Sequence, residues 1–458
     1  MKRKRGRNAS VNGGVEKKEK GTFGYFMLIF YLFLIFFRPF DLVPSLKVLH
    51  LPMVAGALCL FSYIASRFTS GRPIFPFTPI TRVLAVMTVW MGITVPFAVW
   101  IHGSLRGLYN DWSKMLILFL LLANVLESAR NVQKAVWTCI LGATGISVIA
   151  IGLKVFLGES VSEGRLVTDA SGLYSGPNFF SMTLILLLPY ALFFFFLHRS
   201  VLIRIFAGFV VAAFTVANMM TESRTGMVGE ILVVIMAFWM LRDWGVSLVK
   251  TVGAVILAAV LFLPLAPKGL WERFSTVFGS YDINKLDRNS AAGSALGSEE
   301  QRKELLVRAL IITVENPVFG VGMNNFPTAS HDRFNSGPED WLGCHNTFLQ
   351  ISSELGVPGL VIYLALLYAA WKTVRSTKIR LSREKTDLPD TRQLRLLTDA
   401  TMISLAGYIL FSTFAHLGYQ AYFFWVAGLG QALSNISLRP LPASAPVPAL
   451  EPEPAAAV

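Results

Sequence analysis

Long stretches without a charge organise this chain. The run VLAVMTVWMGITVPFAVWI, from Val83 to Ile101, holds no acidic or basic side chain. A run of about 18 or more apolar residues is long enough to cross a bilayer core as a helix. Twelve candidate spans are predicted, at roughly 23–37, 48–66, 83–101, 115–126, 135–157, 178–197, 205–219, 226–241, 251–265, 350–371, 399–416 and 420–437, several of them short, the fourth most of all, and completed by flanking residues. The pattern predicts an all-α fold: a polytopic transmembrane helical bundle of about 12 spans. It divides into an N-terminus (1–22), spans one to nine (23–265), one large loop containing helices (266–349), spans ten to twelve (350–437) and a tail (438–458). The first apolar run follows MKRKRGR, as in a signal peptide, but RPFDLVPS after it offers no small-residue cleavage site. It is read as an uncleaved span.

Composition agrees with this reading. Of 458 residues, 54% are hydrophobic and 15% charged, against about 25% charged in soluble domains. The net charge of +13 does not point to nucleic acid, because the basic residues sit at span ends. Eight Lys or Arg fall in 1–22 and eight in 372–398. The short loops of the opposite side carry only Arg38, Lys47, Arg106, Lys114, Lys154, Arg165 and Arg224. By the positive-inside rule both termini lie in the cytoplasm and the large loop lies outside. The basic run 372–385 is expected to touch anionic membrane lipids, and the Pro/Ala-rich tail is expected to be disordered.

The loop holds one clear element. Ser298 and Gln301 form a Ser-x-x-Gln capping box, so a helix is predicted over about 299–315. Leu305, Leu306, Ala309, Leu310 and Ile312 would lie on one broad face. ENPVFGVG ends it.

Three polar residues stand where they need a reason. Arg224, in TESRTG, is at the outer edge between two spans, among Thr221, Glu222, Ser223 and Thr225. It can be a snorkelling arginine, but an ionisable group at the membrane marks a functional site by default. Arg302 lacks the carboxylate four residues away that Glu304 provides for Arg308. It can pair locally with Glu299, or serve an anion near the start of the loop helix. His345 precedes Asn346 at the foot of span ten. It can be structural, or a general base, since its ordinary pKa is near neutrality. Gly356, Pro358 and Gly359 leave open whether a separate short helix leads into that span. Two arginines and a histidine suit transfer from a diphosphate. No Asp-x-Asp is present for a metal bridge, and the three cysteines have no zinc spacing, so neither a metal nor a cofactor is expected. His331 and His416 are read as structural.

At these residues the chain resembles the O-antigen ligase and O-antigen polymerase superfamily of bacterial inner-membrane glycan transferases. The matching stretches are RKELL with Arg302, TESRTG with Ser223 and Arg224, NPVFGVGMNNF with Gly320 and Gly322, HNTFLQISSELG from His345 to Gly356, and RLVTDASGLYSGPNFFS from Arg165 to Ser181. The resemblance implies a donor, an undecaprenyl-diphosphate-linked glycan at the periplasmic face of the inner membrane. It implies an acceptor hydroxyl on lipid A-core for a ligase or on another glycan for a polymerase. It implies diphosphate binding by Arg224 and Arg302, catalysis by His345, support from Asn346, Gly320, Gly322 and Ser223, and an inverting, metal-free reaction. A transporter for the same lipid-linked glycan is the alternative from another class. It would favour internal repeats and interrupted helices at mid-membrane, and no repeat is found.

Overall fold

The computed structural model describes residues 23–439 apart from 159–160, 163–164, 167–171, 175, 335–340, 384–388 and most of 248–290. The helices, in chain order, are α1 (Phe23–Phe36), α2 (Pro39–Leu42), α3 (Leu51–Thr69), α4 (Pro79–Thr94), α5 (Ile101–Arg106), α6 (Ser113–Val125), α7 (Ala129–Gly152), α8 (Pro177–Leu197), α9 (Val201–Met220), α10 (Arg224–Arg242), α11 (Ala291–Glu315), α12 (Phe326–Phe334), α13 (Thr347–Arg383), α14 (Pro389–Phe411) and α15 (Ala421–Ser437). Val161–Ser162 and Arg165–Leu166 form a minimal antiparallel pair.

The chain is a polytopic helical bundle. Among the described residues eight helices are long and apolar enough to cross a membrane, and Phe23–Phe37 is a shorter apolar one. The span expected at 251–265 lies outside the described residues; every other expected span falls on a helix.

Helix α8 is the hub. Its sequence PNFFSMTLILLLPYALFFFFL is apolar all round, the composition of a helix surrounded by others. The rest of the chain buries 89% of its apolar window, and it packs on α9, α10 and α14. Helices α3, α4 and α9 instead leave Phe61, Val89 and Ile205 exposed, as lipid-facing helices do.

The large loop builds a second, smaller core over one end of the bundle. Leu305, Ala309 and Ile312 of α11 pack with Val321, Phe326, Ala329 and Cys344. Two expectations fail here. Helix α11 begins at Ala291, so Ser298 lies within it and does not cap it. Leu310 is 51% exposed, so the apolar face is narrower than the five positions expected.

Helix α13 is two helices joined at a break. Gly356 has φ 70 and ψ 178, which no helix contains. A short helix from Thr347 to Leu355 therefore leads into the long span, which decides between the alternatives the sequence left open. Glycine is required at the break. A Cβ on Gly356 would stand 2.1 Å from the carbonyl oxygen of Val318, and one on Gly320 would stand 2.4 Å from the Glu354 backbone. This close approach is locked by backbone bonds from Val321 to Ser353 (2.9 Å), Gly322 to Glu354 (2.8 Å) and Val357 to Pro317 (2.8 Å). The Gly-x-Gly turn and the His-to-Gly stretch, far apart in sequence, are two halves of one backbone joint.

Candidate functional site

His345 stands in the turn before α13. Its backbone is left-handed, φ 52, a region where His, Asn and Asp are enriched among non-glycine residues. The turn is pinned on both sides. Asn346 caps the helix by accepting from the Leu349 N–H (2.9 Å), and its amide donates to the Thr413 carbonyl (3.0 Å). Thr347 donates to the Ala415 carbonyl (2.7 Å) and accepts from the Leu417 N–H (2.9 Å). The α13 turn is thereby fastened to the α14–α15 connection.

That connection brings His416 against His345, with ring centroids 5.2 Å apart and planes at 75°. Burial, then His416, then Arg302 push the His345 imidazole down to about 3. The Arg302 contribution shows that its guanidinium lies in the electrostatic neighbourhood of His345. Burial also lowers His416. A histidine held neutral can accept a proton at physiological pH. An ordinary histidine loses about 90% of its neutral form by pH 5.5, one unit below its pKa. With a depressed pKa, kcat/KM is expected to stay flat between about pH 8 and 5.5, which a pH profile of glycan transfer would check. Folding stability, by the same linkage, is complete above about pH 6.5 and declines as pH falls toward 3.

Arg224 is the first residue of α10. Ser223 caps that helix, accepting from the Gly226 N–H (3.1 Å) and donating to Asn178 (2.7 Å), which belongs to the Pro-Asn start of α8. The Ser-Arg and Pro-Asn stretches are thus bonded neighbours. The Arg224 guanidinium reaches the loop helix, bonding Glu299 at 3.2 Å. Glu299 also binds Lys303 at 2.8 Å; Lys303 first, and Arg224 with it, hold its carboxyl below the usual range. Glu304 pairs with Arg308 as expected, at 2.5 Å.

Arg302 lies three residues beyond Glu299, so α11 brings Arg302, Glu299, Arg224 and His345 to one end of the bundle. One expectation needs correction. Arg302 is not near the start of its helix, since α11 begins eleven residues earlier, and a helix dipole fades within its first turn. The positive helix end in this cluster is that of α10, at Arg224. Gly320 and Gly322 lie in the backbone joint with the Glu354 to Gly356 segment.

Sequence reasoning missed two residues. Glu354 is 2% exposed and accepts from the backbone N–H groups of Asn324 (3.1 Å) and Phe326 (3.2 Å), which fastens the start of α12 to α13. A lone acid within an apolar segment was the signal for it. His416 gave no such signal, because only the fold brings it beside His345.

Residues 208–364 match the model of a protein family described as O-antigen ligase. The matched stretch contains Arg224, Arg302 and His345 together. This stretch is therefore similar to the O-antigen ligase family over about a third of the chain, and the helical bundle around it is that of a multi-pass membrane protein. No curated protein matches the chain significantly.

Proposed function

We propose that the protein transfers a glycan from undecaprenyl diphosphate to a sugar hydroxyl at the periplasmic face of the bacterial inner membrane. The observation that carries this reading is the bond from Arg224 to Glu299 of α11, which ties Arg224 to the helix turn that carries Arg302, a cation that acts electrostatically on the buried His345.

The chemistry follows from these groups. Arg224 and Arg302 bind the diphosphate through charge-assisted, forked hydrogen bonds, with the phosphate displacing Glu299 from Arg224. The acceptor hydroxyl attacks the anomeric carbon from the face opposite the leaving group. The new C–O bond forms as the old one breaks, and its electron pair leaves on the diphosphate oxygen. His345 takes the hydroxyl proton. The bound diphosphate offsets the repulsion from Arg302 and so raises the basicity of His345 in the complex. The guanidinium groups supply the positive charge for the leaving diphosphate, without a metal ion. Inversion at the anomeric carbon is the outcome of this single displacement.

Arg224→Gln and Arg302→Gln are each expected to lower kcat/KM by about tenfold to a hundredfold, mainly through KM for the donor, as removal of a hydrogen bond to a charged group does. Lysine at either position restores only part of it, because it lacks the fork. Steady-state kinetics with a lipid-linked donor checks this; unchanged donor affinity in both variants would remove the diphosphate clamp. In cells, the glycan left on the carrier by an inactive variant identifies the acceptor class. Long chains accumulate if the enzyme is a ligase, single repeat units if it is a polymerase.

A further inference from the structure

His416 is boxed on several sides. The Phe179 ring meets it edge to face with centroids 5.6 Å apart, Gly343 lies so close that a Cβ there would be 2.8 Å from its ring, and His345 meets it at 5.2 Å. Its Nδ1 is buried and has no hydrogen-bond partner among the described residues. A buried polar atom left unpaired is costly, and each such atom in a native protein calls for an explanation. A phenyl ring would fill the same box without that cost.

We propose that His416 is a positioning residue for transfer and works through His345: the two imidazoles form a pair that accommodates the proton taken from the acceptor hydroxyl. This rests on the reading of His345 as the base. Neutral His345 has one N–H; on accepting the proton it has two. Neutral His416 offers one unprotonated nitrogen, which accepts a hydrogen bond from the imidazolium form of His345 after a small adjustment of the rings. The positive charge that forms beside Arg302 is thereby spread over the pair. No other bond changes: the proton leaves the hydroxyl for His345, passes to solvent once the leaving diphosphate departs, and both rings return to neutral. Phe179 and Gly343, which pack against the ring, carry no acceptor side chain.

The test uses the full-length protein in membranes, with protein level measured for every variant. His416→Phe keeps the ring and the packing but removes the nitrogens; it is expected to lower kcat at least tenfold with donor KM unchanged. His416→Gln keeps an acceptor and is expected to recover much of the rate. In a double-mutant cycle, adding His416→Phe to His345→Ala is expected to cost less than twofold, because His416 acts only through His345. Near wild-type activity of His416→Phe would overturn the proposal and leave a packing role. Full additivity of the two losses would also overturn it. Failure of the base reading shows separately, as an active His345→Ala protein.

Discussion

Replacing His345 by Ala is expected to stop glycan transfer while leaving the protein in the membrane at its normal level. A positioned general base contributes about 10²- to 10⁴-fold to a rate, and without it the acceptor hydroxyl must lose its proton unaided. The fold has little to lose. The turn is held by Asn346 and Thr347 through their bonds to the α14–α15 connection, and the His345 ring is set mainly by its contact with His416. Alanine meets the left-handed backbone at position 345 with somewhat more strain than histidine, so His345→Asn, which suits that backbone and lacks the imidazole, is the companion variant and is expected to be equally inactive. Cells carrying the variant should accumulate carrier-linked glycan and lack the product. Normal product at normal protein level would remove His345 as the base.

The second large effect is expected from Gly356→Ala. Two costs combine there. A left-handed φ of 70 strains any residue with a Cβ by roughly 1–3 kcal/mol. The Cβ would also meet the Val318 carbonyl carbon and oxygen, at 2.5 and 2.1 Å, and backbone cannot swing aside as a flexible side chain can. The joint between the Gly-x-Gly turn and α13 must open, which loosens α11 and moves Arg302 away from His345. Loss of transfer by more than tenfold is expected, with faster proteolysis of the loop segment 291–334. Gly71→Ala is the control: φ is 62, but nothing lies within 4 Å of the added Cβ. It should carry backbone strain without loss of activity. Equal behaviour of the two variants would show that the joint does not hold the site.

The bundle was legible because a membrane span writes itself as a continuous apolar run, and the expected spans within the described residues fall on helices. Position along helices was less legible. The capping box at Ser298 suggested a start for α11, yet the helix runs on from Ala291, so the local dipole argument for Arg302 fails. Arg224, Arg302 and His345 could be singled out from isolated charges and from the likeness to a family, but the link between Arg224 and the helix of Arg302 could not. It depends on Glu299 reaching back to Arg224 and on α11 packing over α13, which are tertiary facts. The glycines were visible as motifs but not as a mechanism. Only the backbone shows that Gly320 and Gly356 are needed because each segment presses on the other. His416 lay beyond reach because its partner is 71 positions away and no local pattern links the two.

The central claim is bond transfer from a lipid diphosphate. The most direct measurement takes the purified full-length protein in lipid bilayers, supplies undecaprenyl-diphosphate-linked glycan with a glycan or lipid A-core acceptor, and follows the products by mass spectrometry. The account predicts a new glycoside and undecaprenyl diphosphate in equal amounts with wild type, and neither with His345→Ala. Donor that crosses the bilayer intact, with no carrier diphosphate released under any acceptor, would contradict it and favour a transporter.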